Sequence, residues 1–116
     1  MKIHQETIIK LIRDVIAEEV KLREGGVIVE LTEPKSINCA LGQKLIEEAI
    51  EVMGELDTNS VSREKLVEEL ADVQEVMTAI RVKHNITSQE LMLVMNKKFT
   101  LKGGFSNQFL IHKGIK

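Results

Sequence analysis

KLIEEAIE at residues 44–51, read together with EELADVQE at residues 68–75, decides the fold of this chain. In each stretch one acid is followed three residues later by another: Glu48 and Glu51, then Glu69 and Asp72. Residues three apart share a helix face, so each stretch presents a pair of carboxylates. The apolar positions show where those faces lie. At about 100° per residue, Leu41, Leu45, Ala49, Val52, Met53 and Leu56 form one sector, with Glu48 at its edge and Glu51 further round on the same side. On the next segment Leu66, Leu70, Val73, Val76, Met77 and Ile80 form the sector, and Val76 projects between Glu69 and Asp72. The acids stand beside the stripe that folding must bury.

Outward from these two segments the pattern stays helical. Ile8, Ile9, Leu11, Ile12, Val15, Ile16 and Val20 predict a helix over Thr7 to Leu22, stopped by Glu24-Gly25-Gly26. Residues 27–31, Val27 to Leu31, form a short β-branched run, read as a short strand or an extended linker. Pro34, the only proline, closes it and biases Glu33 away from helix. Ser36 or Asn38 is placed to cap a helix ending near Leu56, and Asp57-Thr58-Asn59-Ser60 is the clearest loop. A third helix is expected from Arg63 to His84, with Ser62 as its cap and Asn85 closing it. A fourth follows from Gln89 to Thr100, begun by Thr87 or Ser88 and ended by Gly103-Gly104. The expectation is an all-α antiparallel helical bundle with a small extended element near residues 27–31.

The 116 residues suit one domain, residues 1–116, with a modest core. With 43% hydrophobic and 29% charged residues and three Phe as the whole aromatic content, helix faces are expected to complete their burial by association, a dimer first. A net charge of -2 gives no electrostatic footprint for nucleic acid or an anionic membrane. No apolar run approaches the roughly 20 residues that span a bilayer, and Met1 opens no signal-peptide pattern. Cys39 is alone, so an intrachain disulfide is impossible and a reducing, cytoplasmic setting is expected.

Spacing alone leaves two readings of the acids open. They can be solvated helix faces, since one Glu-x-x-Glu is common. They can also be a cation site, since two such pairs beside a core repel one another until a hard divalent ion joins them. No His follows either first Glu at the third position, so the Glu-x-x-His di-iron pattern is absent. His4, His84 and His112 match no ligand spacing. The chemistry favours Mg²⁺ or Mn²⁺ over Zn²⁺ or Fe²⁺.

Glu48-x-x-Glu51 followed by Glu69-x-x-Asp72 resembles the signature of the all-α nucleoside triphosphate pyrophosphohydrolases, the MazG and phosphoribosyl-ATP pyrophosphohydrolase superfamily. Lys10-Leu-Ile-Arg13-Asp14 resembles that family's "LVRD" opening, and Lys44-Leu-Ile-Glu-Glu precedes the first acid pair. Lys102-Gly103-Gly104-Phe105 resembles the "RGGF" close of the short single-domain branch. The pieces run in the expected order over most of the chain. Val15-Ile16-Ala17 stands where relatives often have Lys-Ile-Pro, and the stretch from Lys98 to Lys102 is poorer in Arg and Glu than theirs.

The resemblance implies a MazG-like bundle completed as a homodimer or a dimer of dimers. It implies hydrolysis of a nucleoside triphosphate between the α and β phosphates, giving a monophosphate and pyrophosphate. Glu48, Glu51, Glu69 and Asp72 carry over as Mg²⁺ ligands. Glu47, Glu48 or Glu68 is the candidate to accept the attacking water's proton, and the sequence does not choose among them. Lys44 either reaches a phosphate or pairs with Glu47 or Glu48 one turn on. Lys97, Lys98 and Lys102 either bind the outer phosphates or stabilise a helix C-terminus. Phe99, Phe105 and Phe109 read first as packing groups and second as a surface for stacking a base, the Met residues as core or interface fillers, and Arg13 and Asp14 first as structural residues and second as lining the site of a partner subunit. A contrasting reading keeps the fold and drops the chemistry: a non-catalytic helical dimer acting as a protein-interaction module.

Overall fold

Proline lacks a backbone N–H and has its φ pre-set for a helix's first turn, and Pro34 stands there at the start of the longest helix. The computed structural model describes residues 10–23, 28–112 and 114. It contains four helices: α1 Asp14–Arg23, α2 Pro34–Leu56, α3 Arg63–Lys83 and α4 Ser88–Lys102. The chain divides into two units, residues 1–80 and 81–116. The all-α expectation holds, with no strand among the described residues. Ile28 to Leu31 is a connection without strand pairing, and Val27 lies outside the described residues. No helix among the described residues is long and apolar enough to cross a membrane.

The starts of the first two helices differ from the sequence expectation, while the other helix ends fall within two residues of it. The first helix starts at Asp14 and not at Thr7: Lys10 to Arg13 is non-helical, and Thr7 to Ile9 lie outside the described residues. In this stretch Leu11 and Ile12, part of the apolar pattern, line a cleft, and Lys10 and Arg13 reach acids on α2 and α3. Asp14 then falls in the first turn, where a negative charge suits the helix dipole. The second helix starts at Pro34, two residues before Ser36. Its N-cap is Glu33, whose side chain makes no capping bond, so proline geometry starts this helix in place of a hydroxyl or amide cap.

In the first unit α2 and α3 are joined by the loop from Asp57 to Ser62 and run antiparallel. Glu48, late in α2, meets Glu69 and Asp72, early in α3. Leu41, early in α2, lines one cleft with Val76 and Ala79, late in α3. Ser62 begins α3 as expected, its hydroxyl oxygen accepting a bond from the Lys65 amide at 3.3 Å. Leu41 and Val76, 7% and 9% exposed, are the buried centre of the hydrophobic stripe that the wheel identifies.

In the second unit the end of α3 closes as a Schellman motif. The Ile86 amide donates to the Arg81 carbonyl at 2.9 Å and the Asn85 amide to the Val82 carbonyl at 3.2 Å. Asn85 takes φ 58°, a left-handed conformation that asparagine tolerates. The Arg81 guanidinium donates to the Ile86 carbonyl at 3.0 Å and fastens the turn. Thr87 then caps α4, its hydroxyl oxygen accepting from the Glu90 amide at 3.1 Å. Gly103 ends α4 at φ 78°, where a side chain would be strained, and its amide donates to the Phe99 carbonyl at 2.8 Å. A Cβ on Gly104 would stand 3.0 Å from the Phe99 ring. Gly103-Gly104 is therefore a helix stop, packed by an aromatic ring.

None of the residues of α4 is buried, and Leu93, Phe99 and Leu101 are all exposed. Ile46, Ile50 and Met53 on α2 are exposed as well. Substitutions should divide accordingly. Leu41→Ala, at the centre of the first unit, should cost about 2–5 kcal/mol in urea unfolding. Thr87→Ala, which removes one cap, should cost about 1 kcal/mol.

Candidate metal centre

Two helices of fixed pitch, packed antiparallel, bring their acid pairs to the same level. Glu48, Glu69 and Asp72 each offer a carboxylate oxygen, and these three atoms lie within 4.8 Å of one another. Glu48 is the most enclosed, its side chain 13% exposed, while Asp72 is partly open. Glu51, the fourth acid of the sequence quartet, is exposed and stands outside this triad as the side chains are placed. It still belongs to the same field, since its charge acts on Glu69.

The electrostatics show the strain of the arrangement. Desolvation and then the charges of Glu51, Asp72, Glu48 and Glu55 push the Glu69 carboxyl above its usual value. Glu47 moves the other way. A hydrogen bond from Lys44 outweighs the effect of burial, and the charges of Lys44 and Lys10 add to it, so its carboxyl sits below the usual range. Partial burial acts to lower the pKa of Lys44, but its bonds to Glu47 and Glu48 and their charges more than reverse this.

Cations stand against these acids at short range. Lys44 Nζ lies 2.8 Å from Glu47 Oε2 and 3.2 Å from Glu48 Oε1. The ion-pair reading of Lys44 thus describes its present geometry. Lys10 Nζ is 3.5 Å from Glu47 Oε1, and Arg13 Nη2 is 2.6 Å from Asp72 Oδ1. These last two pairs join the segment ahead of α1 to the acid faces of α2 and α3. Arg13, read from sequence as structural, therefore belongs to the site. The signal was present, since Lys10 and Arg13 are two cations three residues apart, but only the tertiary fold supplies their partners.

A cleft of about 560 Å³ opens between these elements, a volume suited to a small ligand. Its charged walls are Arg13 and Lys44 on one side of the balance and Asp14, Glu48, Asp72 and Glu75 on the other. Leu41, Val76 and Ala79 supply apolar surface. A second hollow of about 200 Å³ lies between Lys10, Lys44 and Glu47. Glu68 is exposed on α3. Lys97, Lys98 and Lys102 are exposed on α4 in the second unit, with Lys102 in the last turn, where a cation suits the helix dipole. Cys39 is a free, exposed thiol.

The donor set fits a hard divalent cation. All three triad ligands are carboxylates, with no His or Cys among them. An octahedral Mg²⁺ has oxygens at 2.0–2.1 Å, so ligand atoms opposite one another are about 4 Å apart. Neighbouring ligands stand closer, about 3 Å apart, so three carboxylate oxygens now spread over as much as 4.8 Å would have to draw together around the ion. The chain matches no protein-family model, no curated protein and no solved structure.

The two shifted glutamates have opposite consequences for stability. Glu69, with its raised pKa, contributes stability below its usual value of 4.5 that is lost as pH rises through the raised value. Glu47, lowered, contributes stability above the usual value that is lost as pH falls through its folded-state value. In EDTA, Glu69→Gln should therefore melt above the unsubstituted protein at pH 7, with the difference closing near pH 4. Equal melting temperatures across that range would show that the acid repulsion carries no energetic weight.

Proposed function

We propose that the chain is a Mg²⁺-dependent nucleoside triphosphate pyrophosphohydrolase that cleaves between the α and β phosphates. The observation that carries this reading is the convergence of Glu48, Glu69 and Asp72 from two helices beside a ligand-sized cleft. Like-charged carboxylates beside an apolar stripe are costly, and the arrangement makes chemical sense around a divalent cation. The family resemblance of the acid pairs and their flanking motifs supplies the reaction.

Glu48, Glu69 and Asp72 would hold the metal, with Glu51 the fourth carboxylate in reach of the same field. Mn²⁺ suits the same oxygen donors. Bound there, the metal would neutralise phosphate oxygens and lower the pKa of a water. The water oxygen would bond to one phosphorus of the α–β anhydride, the bridging oxygen would leave with the other phosphoryl group, and a carboxylate of the site would take the proton. Glu47, Glu48 and Glu68 are the candidates to take it, and while Lys44 and Lys10 hold the Glu47 carboxyl below the usual range it is weakened as a base. Lys44 stands one turn before Glu48 and lines the cleft, so it is placed to meet a phosphate once the acids have another counter-ion. Lys97, Lys98 and Lys102 remain candidates for the outer phosphates. The proposed role is clearance of nucleotides from the cytoplasmic pool.

The exposed apolar residues of α2 and α4 support self-association. Each large aliphatic side chain removed from water is worth about 1.5–3 kcal/mol, so a handful of them is enough to drive pairing of helix faces. A homodimer, or a dimer of dimers, accounts for this exposure under the enzyme reading. The same faces favour the alternative of a non-catalytic helical dimer that binds a partner protein.

The deciding measurement is divalent-dependent release of pyrophosphate from a panel of normal and modified nucleoside triphosphates. Turnover is expected with Mg²⁺ or Mn²⁺. Glu48→Gln and Asp72→Asn should each reduce it at least about a hundredfold, the upper end of what even outer-shell partners of a metal cost. Helical circular dichroism should be retained in both. No turnover on the panel, with no Mg²⁺ or Mn²⁺ shift in Tm, would replace the enzyme with the interaction module.

A further inference from the structure

Arg13 stands immediately ahead of α1, its side chain 57% exposed, and touches the acid triad at one point. Its Nη2 lies 2.6 Å from Asp72 Oδ1, a one-pronged contact from a group that carries five N–H donors. Arg13 and Asp72 line the same cleft, together with Lys44 and Glu48. Two of the three triad acids thus have a cation of the chain itself as counter-ion: Arg13 on Asp72 and Lys44 on Glu48.

We propose that Arg13 is an exchangeable counter-ion of the metal centre, holding Asp72 while the site lacks a divalent cation and turning to the phosphates of the substrate once the cation takes Asp72. This rests on the reading of the triad as a metal site. It adds a positioning role for a residue that the acid signature does not contain.

Two physical arguments carry the proposal. The first is strength. An ion pair this exposed is screened by water and shifts an equilibrium by less than about tenfold. A divalent ion held by Glu48, Glu69 and Asp72 together would displace it. The second is charge balance. Glu48, Glu69 and Asp72, with Asp14 and Glu75 on the cleft wall, carry five negative charges, and a divalent cation would offset two of them. A triphosphate entering the cleft would still meet net negative charge unless other cations face it. Arg13 and Lys44 are the cations that line this cleft, and a guanidinium fits phosphate oxygens in a two-bond fork. Release from Asp72 frees Arg13 at the moment when the phosphate requires it.

The test measures binding in two stages with the full chain, so that the nucleotide need not be known. Mn²⁺ alone is titrated first, followed by inorganic tripolyphosphate onto the Mn²⁺-loaded protein, for the unsubstituted chain, Arg13→Gln and Arg13→Lys. Arg13→Gln should bind Mn²⁺ severalfold more tightly, because the competitor for Asp72 is gone. It should bind tripolyphosphate at least about tenfold more weakly, because the phosphate partner is gone. Arg13→Lys, which keeps the charge without the fork, should hold Mn²⁺ near the original affinity and lose part of the tripolyphosphate affinity.

A residue with a merely structural role would move both affinities in the same direction or neither. Weaker or unchanged Mn²⁺ binding in Arg13→Gln overturns the proposal, as does unchanged tripolyphosphate binding in both variants. If the unsubstituted chain binds no Mn²⁺, the metal reading falls and this role falls with it. If it binds Mn²⁺ and the variants match it, only the role of Arg13 falls.

Discussion

Three carboxylate oxygens from two helices of the first unit stand within 4.8 Å of one another, and the charges around them answer to that closeness. Glu48, Glu69 and Asp72 repel each other at that range, and they do so beside apolar surface, where water screens them less than it would in bulk. The repulsion is legible in Glu69, whose carboxyl is pushed up by desolvation and by its acidic neighbours. Lys44 and Arg13 offset part of it, one from within α2 and one from the segment ahead of α1. Lys10 and Arg13 reach across from their non-helical stretch to Glu47 and Asp72.

The cleft inherits its character from this balance. Acids and cations line it together over an apolar base of Leu41, Val76 and Ala79. A surface of that kind suits a ligand with an anionic part and a less polar part, bridged to the acids by a divalent cation. The proposed triphosphate chemistry uses each of these features, while a solvated acidic face would need none of them. The exposed apolar residues of α4 in the second unit have no place in that chemistry, and they bear on association instead.

Much of the fold was legible because helices announce themselves locally. The apolar sectors found Leu41 and Val76, the two residues that became buried, and placed Glu48 at the edge of its stripe. Ser62, Thr87, Asn85 and Gly103 end or begin helices by short-range hydrogen bonds, so their roles could be read from adjacent residues. The start of α1 and the cap of α2 were misread for two different reasons. For α1, the apolar pattern runs on through Leu11 and Ile12, which stand ahead of the helix and line the cleft instead. For α2, Pro34 replaces the side-chain cap that Ser36 or Asn38 seemed to offer.

The acid quartet divides along the same line. Its residue types, spacing and helix faces are properties of the chain alone, since a helix of 3.6 residues per turn fixes what lies beside what. Which three of the four acids converge depends on the level at which α2 and α3 pack, and the fold selects Glu48, Glu69 and Asp72 while leaving Glu51 outside the triad. The cations were likewise visible as residues but not as partners. Arg13 and Asp72 are 59 positions apart, and no local rule joins them. Local periodicity encodes which face a carboxylate occupies; only packing decides which charges must share a space.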